Sequence, residues 1–312
     1  MSGLPKPHEV VAILIADVHL SHKPPAYRSG EPNWYDAMER QLFQLHQLQL
    51  RYIDAVIVCA GDVFDRWDSP PELINFAMRT LPKMYAVPGQ HDLAYHRFND
   101  IKRTAYWTLC EYGAIQTLNA GEPRERNNGL RLHGFPWGFP PTPNPDTIRK
   151  GVPLDLAVVH SYVWTEGNSF PGAPEDKRLR AYAKGLKGYD VAVFGDNHKP
   201  FLSASHNRCT VVNCGGFFRR RSDDNHEPSA WLLKSDGSVV RYVLDTSKDV
   251  YAPEADRWEP ENVTRVREFA KELAELDADS VDFPLVVKAL LLKEKPPRRV
   301  RELVLKLMED VR

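Results

Sequence analysis

The chain of 312 residues is long enough for one large domain with a small appendage and for a sizeable buried core. Hydrophobic residues at 42% and charged residues at 27% exclude intrinsic disorder and fibrous repeats. Lysine plus arginine number 41 against 42 acids, so no global basic field draws the chain to nucleic acid, and any such binding must come from a local patch.

The first predicted element is the apolar run Val10 to Ala16, the longest in the chain. It is far short of the roughly 20 residues a spanning helix needs, and it has only Lys6 as a basic flank and no small cleavage-site residues of a secretory signal. A cytoplasmic protein with no membrane partner is the expectation. Trp34 to Tyr52 follows as an amphipathic helix, with Met38, Leu42, Leu45, Leu48 and Tyr52 spaced by three and four. Ala55 to Ala60 reads as a second buried strand. Leu73 to Leu81 reads as a helix with Ser69 as its N-cap, and Met84 to Val87 as a third strand.

Gly121 to Asn128 and the proline-rich stretch Pro136 to Pro145 read as long surface loops. Leu156 to Val159 and Val191 to Phe194 are further buried strands, separated by a predicted helix over Asp176 to Leu186. Shorter strands at Thr210 to Asn213, Ala230 to Lys234 and Val239 to Leu244 suggest a mixed sheet edge, with Ser235, Asp236 and Gly237 turning between the last two. A boundary falls between Asp249 and Pro260, and helical spacing resumes from Glu261. Cys59, Cys110, Cys209 and Cys214 are too scattered for a disulfide framework or a thiolate zinc site, so reduced thiols are expected.

Five apolar runs stop in polar clusters. The first ends in Asp17-Val18-His19, the second in Gly61-Asp62-Val63-Phe64-Asp65 and the third in Pro88-Gly89-Gln90-His91-Asp92. The run at Leu156 ends in His160, and that at Val191 in Gly195-Asp196-Asn197-His198. Ligands of open α/β sheets bind beyond the carboxyl ends of strands, so these clusters can converge on one crevice. Their oxygen and imidazole donors suit manganese, iron or zinc in a site open to substrate. Asp17, His19, Asp62, Gln90, His160, Asp196 and His198 exceed what one four-coordinate ion uses, whereas two ions sharing a carboxylate would use them all. Such a pair is a known device for activating water and clamping a phosphoryl group.

The ordered set Asp-x-His, Gly-Asp-x-x-Asp, Gly-x-His-Asp, a strand-end His and Gly-x-x-His resembles the calcineurin-like metallophosphoesterase superfamily over Asp17 to His198. Ile15-Ala16-Asp17-Val18-His19-Leu20 and Gly61-Asp62-Val63-Phe64-Asp65 look most like the DNA-repair nucleases related to the bacterial SbcD subunit, phage-encoded relatives among them. The resemblance implies an α/β four-layer sandwich over residues 1–250, with mixed β-sheets flanked by helices, and a small helical C-terminal region over 251–312. By the same resemblance Asp17, His19 and His198 would hold the first of two divalent metals and Asp62 would bridge. Gln90, His160 and Asp196 would complete the second. His91, oriented by the carboxylate of Asp65, would stabilise the transition state or protonate the leaving oxygen.

Two positions depart from the family pattern, since Gln90 stands where it has Asn and Asp196 where it has His. The added carboxylate hardens the second site, which points to manganese or magnesium over zinc, with iron a further candidate. Metal-dependent phosphodiester hydrolysis on DNA, as an exonuclease or endonuclease, is the expected activity. The alternatives are a phosphoesterase acting on a small molecule or phosphoprotein and a non-catalytic binding subunit. Arg219, Arg220 and Arg221, after the paired aromatics Phe217 and Phe218, read as a phosphate-tracking patch with surfaces for base stacking or as a solvated basic edge. The resemblance also suggests that the basic tail, Lys293 to Arg301, binds an SbcC-like ATPase subunit. A homodimer is the remaining partner expectation.

Overall fold

The structure is a computed structural model that describes residues 4–126, 128–144, 154–169, 173–206, 208–220 and 227–252. The predicted helical tail over 251–312 and the docking segment Lys293 to Arg301 lie outside them, but for the two residues 251 and 252. In chain order the first elements are β1 (Val10–Ile15), α1 (Trp34–Arg51), β2 (Val56–Cys59), α2 (Pro71–Thr80), β3 (Met84–Ala86), α3 (Ala105–Tyr112) and β4 (Ile115–Thr117). There follow β5 (Arg124–Arg126), β6 (Leu130–Phe135), β7 (Leu154–His160), α4 (Leu179–Tyr182) and β8 (Val191–Gly195). The last are β9 (Phe201–His206), β10 (Cys209–Asn213), β11 (Ser229–Lys234) and β12 (Val239–Val243).

Among these residues there are two mixed sheets, ordered β12-β11-β1-β2-β3-β4 and β5-β6-β7-β8-β10-β9. The strands β1 to β4 run parallel, as do β6, β7, β8 and β10, while β11, β12, β5 and β9 pair antiparallel. Strands buried on both faces read as unbroken apolar runs, which is why VVAILI in β1 is legible. Ala12, Leu14, Val58 and Ala60 of the first sheet pack against Leu132, Leu156, Val158 and Val193 of the second. Ile13, Ile15 and Ile57 face the other way, toward Met38, Leu42 and Leu45 of α1 and Leu73 and Phe76 of α2. On the outer face of the second sheet, Val159, Ala192 and Phe194 meet Leu179 and Tyr182 of α4. The layers are those of the metallophosphoesterase α/β sandwich, and no described helix is long and apolar enough to cross a membrane. All four cysteines are free thiols.

Local chemistry sets the helix ends. The side chain of Asn33 caps α1 by accepting from the Tyr35 amide at 3.0 Å. The expected cap at Ser69 is not formed, because its hydroxyl donates to the Arg66 carbonyl and Pro70 precedes the first turn of α2. Over 176–186 only Leu179–Tyr182 is α-helical, flanked by a 3-10 turn at Glu175–Lys177 and a run of turns. Leu179, Tyr182 and Leu186 still face the core as the spacing required. The predicted loop over 121–128 contains the exposed edge strand β5.

The paired aromatics Phe217 and Phe218 are buried in the helix-side core, with Phe218 packed against Trp34, so they offer no surface for bases. Beyond them a buried ionic network closes the domain. Arg28 is 0% exposed, pairs with Glu31 at 2.6 Å and Asp249 at 3.1 Å, and donates to the Arg219 carbonyl. Its guanidinium also lies over the Trp34 and Tyr251 rings. Removing one partner of a buried pair strands the other charge, so Arg28→Met is expected to cost about 3–5 kcal/mol of stability in urea unfolding. A loss below about 1 kcal/mol would show the network to be incidental.

Candidate metal centre

The carboxyl ends of β1, β2, β3, β7 and β8 meet where the two sheets adjoin, and the backbone there bends sharply. Asp17 (φ 51°), His19 (φ 47°), Asp62 (φ 52°) and Asp196 (φ 82°) all lie in the left-handed region. Each such residue costs on the order of 1–3 kcal/mol, and asparagine, aspartate and histidine are the residues that tolerate it best. Backbone bonds hold the bends in place, from His19 N to the Asp62 carbonyl at 2.9 Å and from Phe217 N to the Asp17 carbonyl at 3.2 Å. The glycines of the second and third motifs are sterically required, since a Cβ at Gly61 would strike the His160 ring and one at Gly89 would strike the Asp62 carboxylate.

These bends gather the predicted ligands. Asp17, His19 and His198 form one group whose ligand atoms lie within 4.8 Å of one another, and Asp17, Asp62 and His160 form a second. His19 Nε2 is 3.2 Å from His198 Nε2 and 3.7 Å from Asp62 Oδ2, which is itself 3.4 Å from His160 Nε2. The Gln90 amide oxygen lies 2.6 Å from His160 Nε2, and its amide nitrogen donates to Asp196 Oδ1 at 2.8 Å. The Asp196 amide donates to both oxygens of Asp17. Because the Ala60 carbonyl can only accept, His160 carries a proton on Nδ1 and turns Nε2 toward the cluster.

Burial pushes Asp17 well above the usual carboxylate range, with Asp62 adding to the effect, and pushes His19 well below the usual imidazole value. Burial would lower His160 too, but the neighbouring Asp62 raises it to about 10; His160 and His19 in turn hold Asp62 low against its own burial. Asp92 is raised to about 7 by burial and by Asp62. It accepts from the amides of Val63, Phe64 and Gly89 and so ties the second motif to the third.

Among the described residues, Asp62 Oδ2 and His19 Nδ1 are buried without a hydrogen-bond partner. Such orphaned atoms are costly unless something else satisfies them, and this oxygen-and-imidazole set fits divalent cations. Cys59 turns its thiol to the Gly61 carbonyl and adds no thiolate.

The geometry alters two expectations. His91 donates from Nδ1 to the backbone carbonyl of Asp65 at 2.8 Å, so the main chain orients it and not the carboxylate. The Asp65 carboxylate instead accepts from Arg220 at 2.7 Å and faces His19 Nδ1 at 3.6 Å. Arg219 lies over the Tyr27 and Tyr251 rings, and Arg221 falls outside the described residues. Arg219 and Arg220 are thus half-buried and engaged within the fold. Two residues that sequence reasoning missed support the last motif. The Asn197 side chain donates to the Val163 and Asn168 carbonyls, and Asn213 donates to the carbonyls of Asn197 and Lys199. Their only sequence signal was an asparagine at the end of an apolar strand and another inside a motif.

Residues 11–200, more than half of the chain, match the calcineurin-like phosphoesterase family, and the chain belongs to it. Metal-dependent phosphoester hydrolysis is the chemistry of that class. Among solved structures the fold is similar to the calcineurin-like phosphoesterase YfkN from Bacillus subtilis, 15% identical, covering 86% of this chain and 99% of that one with a TM-score of 0.44. It is also similar to the protein TT1561 of Thermus thermophilus, 9% identical, covering 75% and 99% with a TM-score of 0.43. No curated protein sequence matches it.

If both groups hold an ion, protein dialysed against manganese carries two per chain by mass spectrometry, and Asp196→Ala keeps only one. An unchanged content in that variant would place Asp196 outside the centre.

Proposed function

We propose that this protein hydrolyses phosphodiesters and that its substrate is DNA. The observation that supports a diester is that two cavities border the ligand cluster or its sequence neighbours. One, of about 450 Å³, includes His160 and Ser161 in its wall; the other, of about 350 Å³, includes Leu20, Ser21 and Asp65. A phosphate at the cluster therefore has two nearby spaces for ester arms, whereas a monoester needs only one. DNA is favoured over a small diester by the likeness of the Asp17 and Asp62 motifs to those of SbcD-type nucleases. Lys23 adds a cation to the smaller cavity, where Arg66 is paired with Asp68.

Asp17, His19 and His198 on one side, and Gln90, His160 and Asp196 on the other, would hold two cations joined through Asp62. Bound there, divalent cations polarise phosphoryl oxygens and make water nucleophilic near neutral pH. The remaining work falls to the chain. His91 spends Nδ1 on the Asp65 carbonyl, which leaves Nε2 to deliver a proton to the departing oxygen. Asp62 fixes that loop by accepting the His91 amide at 2.9 Å. Arg220 holds the Asp65 carboxylate aside and places positive charge next to His19.

With manganese, bis-para-nitrophenyl phosphate should be cleaved at least tenfold faster than the monoester, and single- or double-stranded DNA should be degraded. His91→Ala should lower kcat by about 10²–10⁴ while retaining its metal. Preference for the monoester with no action on DNA would favour a small-molecule phosphatase.

A further inference from the structure

We propose that the larger cavity is a binding site for one nucleobase of the substrate, stacked beside the scissile phosphate. This rests on the diesterase reading above and adds to it a means of recognition. Trp137, Phe139 and Pro141 form one side of the cavity, Tyr182 and Gly185 another, and His160 is shared with the ligand cluster. Its volume of about 450 Å³ falls within the roughly 300–1,000 Å³ usual for ligand pockets. A base attached through its sugar to a phosphate on the cluster lies next to this space, because His160 serves both.

The walls suit a flat π-surface. Phe139 remains 40% exposed although its ring meets Phe98 edge-on. Trp137 packs against His160 with ring centroids 6.3 Å apart. The Tyr182 hydroxyl is bonded to Ser161 Oγ and the Tyr162 carbonyl, so its polar end is satisfied and its ring acts as apolar surface. Asp176 and Lys177, also in the lining, supply an acceptor and a donor for the edge of a base. Stacking on aromatic side chains accepts every base and needs no sequence-specific contact.

The cavity is also preformed. The Trp137 amide donates to the Pro88 carbonyl at 3.1 Å, tying this loop to the third motif, and the Phe139 amide closes a turn on Pro136. Farther along, the Asn144 amide donates to the Lys187 carbonyl and the Tyr189 hydroxyl to the Thr142 carbonyl. A Cβ at Gly185 would collide with the Pro141 carbonyl, so the two walls approach as closely as glycine permits. Prolines at 136, 140 and 141 restrict the loop further. An exposed aromatic on so constrained a loop loses little freedom when a ligand stacks on it.

The test uses para-nitrophenyl phosphodiesters of thymidine, through its 5′ or 3′ oxygen, and their abasic tetrahydrofuran counterparts, with the manganese-loaded protein. For at least one linkage, kcat/KM should favour the base-bearing ester by about tenfold. Phe139→Ala should bring that ratio to within about twofold of unity. Because it is a ratio on one preparation, a partly unfolded variant does not distort it. Equal hydrolysis of both esters by the wild type, or a preference that survives both Phe139→Ala and Trp137→Ala, would remove the base site and leave the diesterase reading standing. Hydrolysis of neither would remove both.

Discussion

Asp62 is buried beside two other buried aspartates, Asp17 and Asp92, and much of the surrounding structure serves to make that tolerable. Charges of one sign in a dry pocket repel strongly, and each shed hydration to get there. Three kinds of compensation are visible. Asp92 takes three backbone amides, Asp17 takes the Asp196 amide on both oxygens, and Asp62 has His160 and His19 beside one oxygen and the His91 amide on the other. Positioning those donors requires left-handed turns at Asp17, His19, Asp62 and Asp196, and the packed sheets beneath supply the rigidity to hold them. Donors held in place this way would lower the reorganisation that cation binding requires.

Most of this was legible because burial on both faces of a parallel strand leaves an unbroken apolar run, and the first polar residues after it mark the strand's carboxyl end. That logic located β1, β2, β3, β7 and β8 and the side chains that cluster beyond them. It failed where strands carry polar residues on one face. In β6, Arg131 and His133 point to the buried Asp155, a salt-bridged outer face that reads as loop when only apolar runs are sought. Short α3 was signalled by Thr104 and Gly113, which cap it at either end, but its apolar spacing is weak. The orientation of His91 was not readable at all, because a backbone carbonyl has no signature in a sequence.

The arginines after Phe218 show how composition can mislead about exposure. A run of three cations suggests a solvated surface, yet Arg28 fixes the carbonyl of Arg219, the rings of Tyr27 and Tyr251 take its guanidinium, and Asp65 takes that of Arg220. The network that closes the end of the domain thus reaches the polar cluster through adjacent residues. A cation anchored this way stays beside the His19 cluster without being free to wander.

The two departures from the family pattern meet in space, which bears on whether they weaken the centre. Gln90 has one more methylene than the asparagine expected there, and Asp196 offers a carboxylate in place of a ring. In the structure the longer amide reaches His160 with its oxygen and Asp196 with its nitrogen, so one substitution uses the acceptor that the other provides. Both residues remain beside the cluster, the Gln90 oxygen turned to His160 and the Asp196 carboxylate to the Gln90 amide. Their mutual bond keeps both departures beside the cluster, with the added carboxylate held in place by the very residue that differs alongside it.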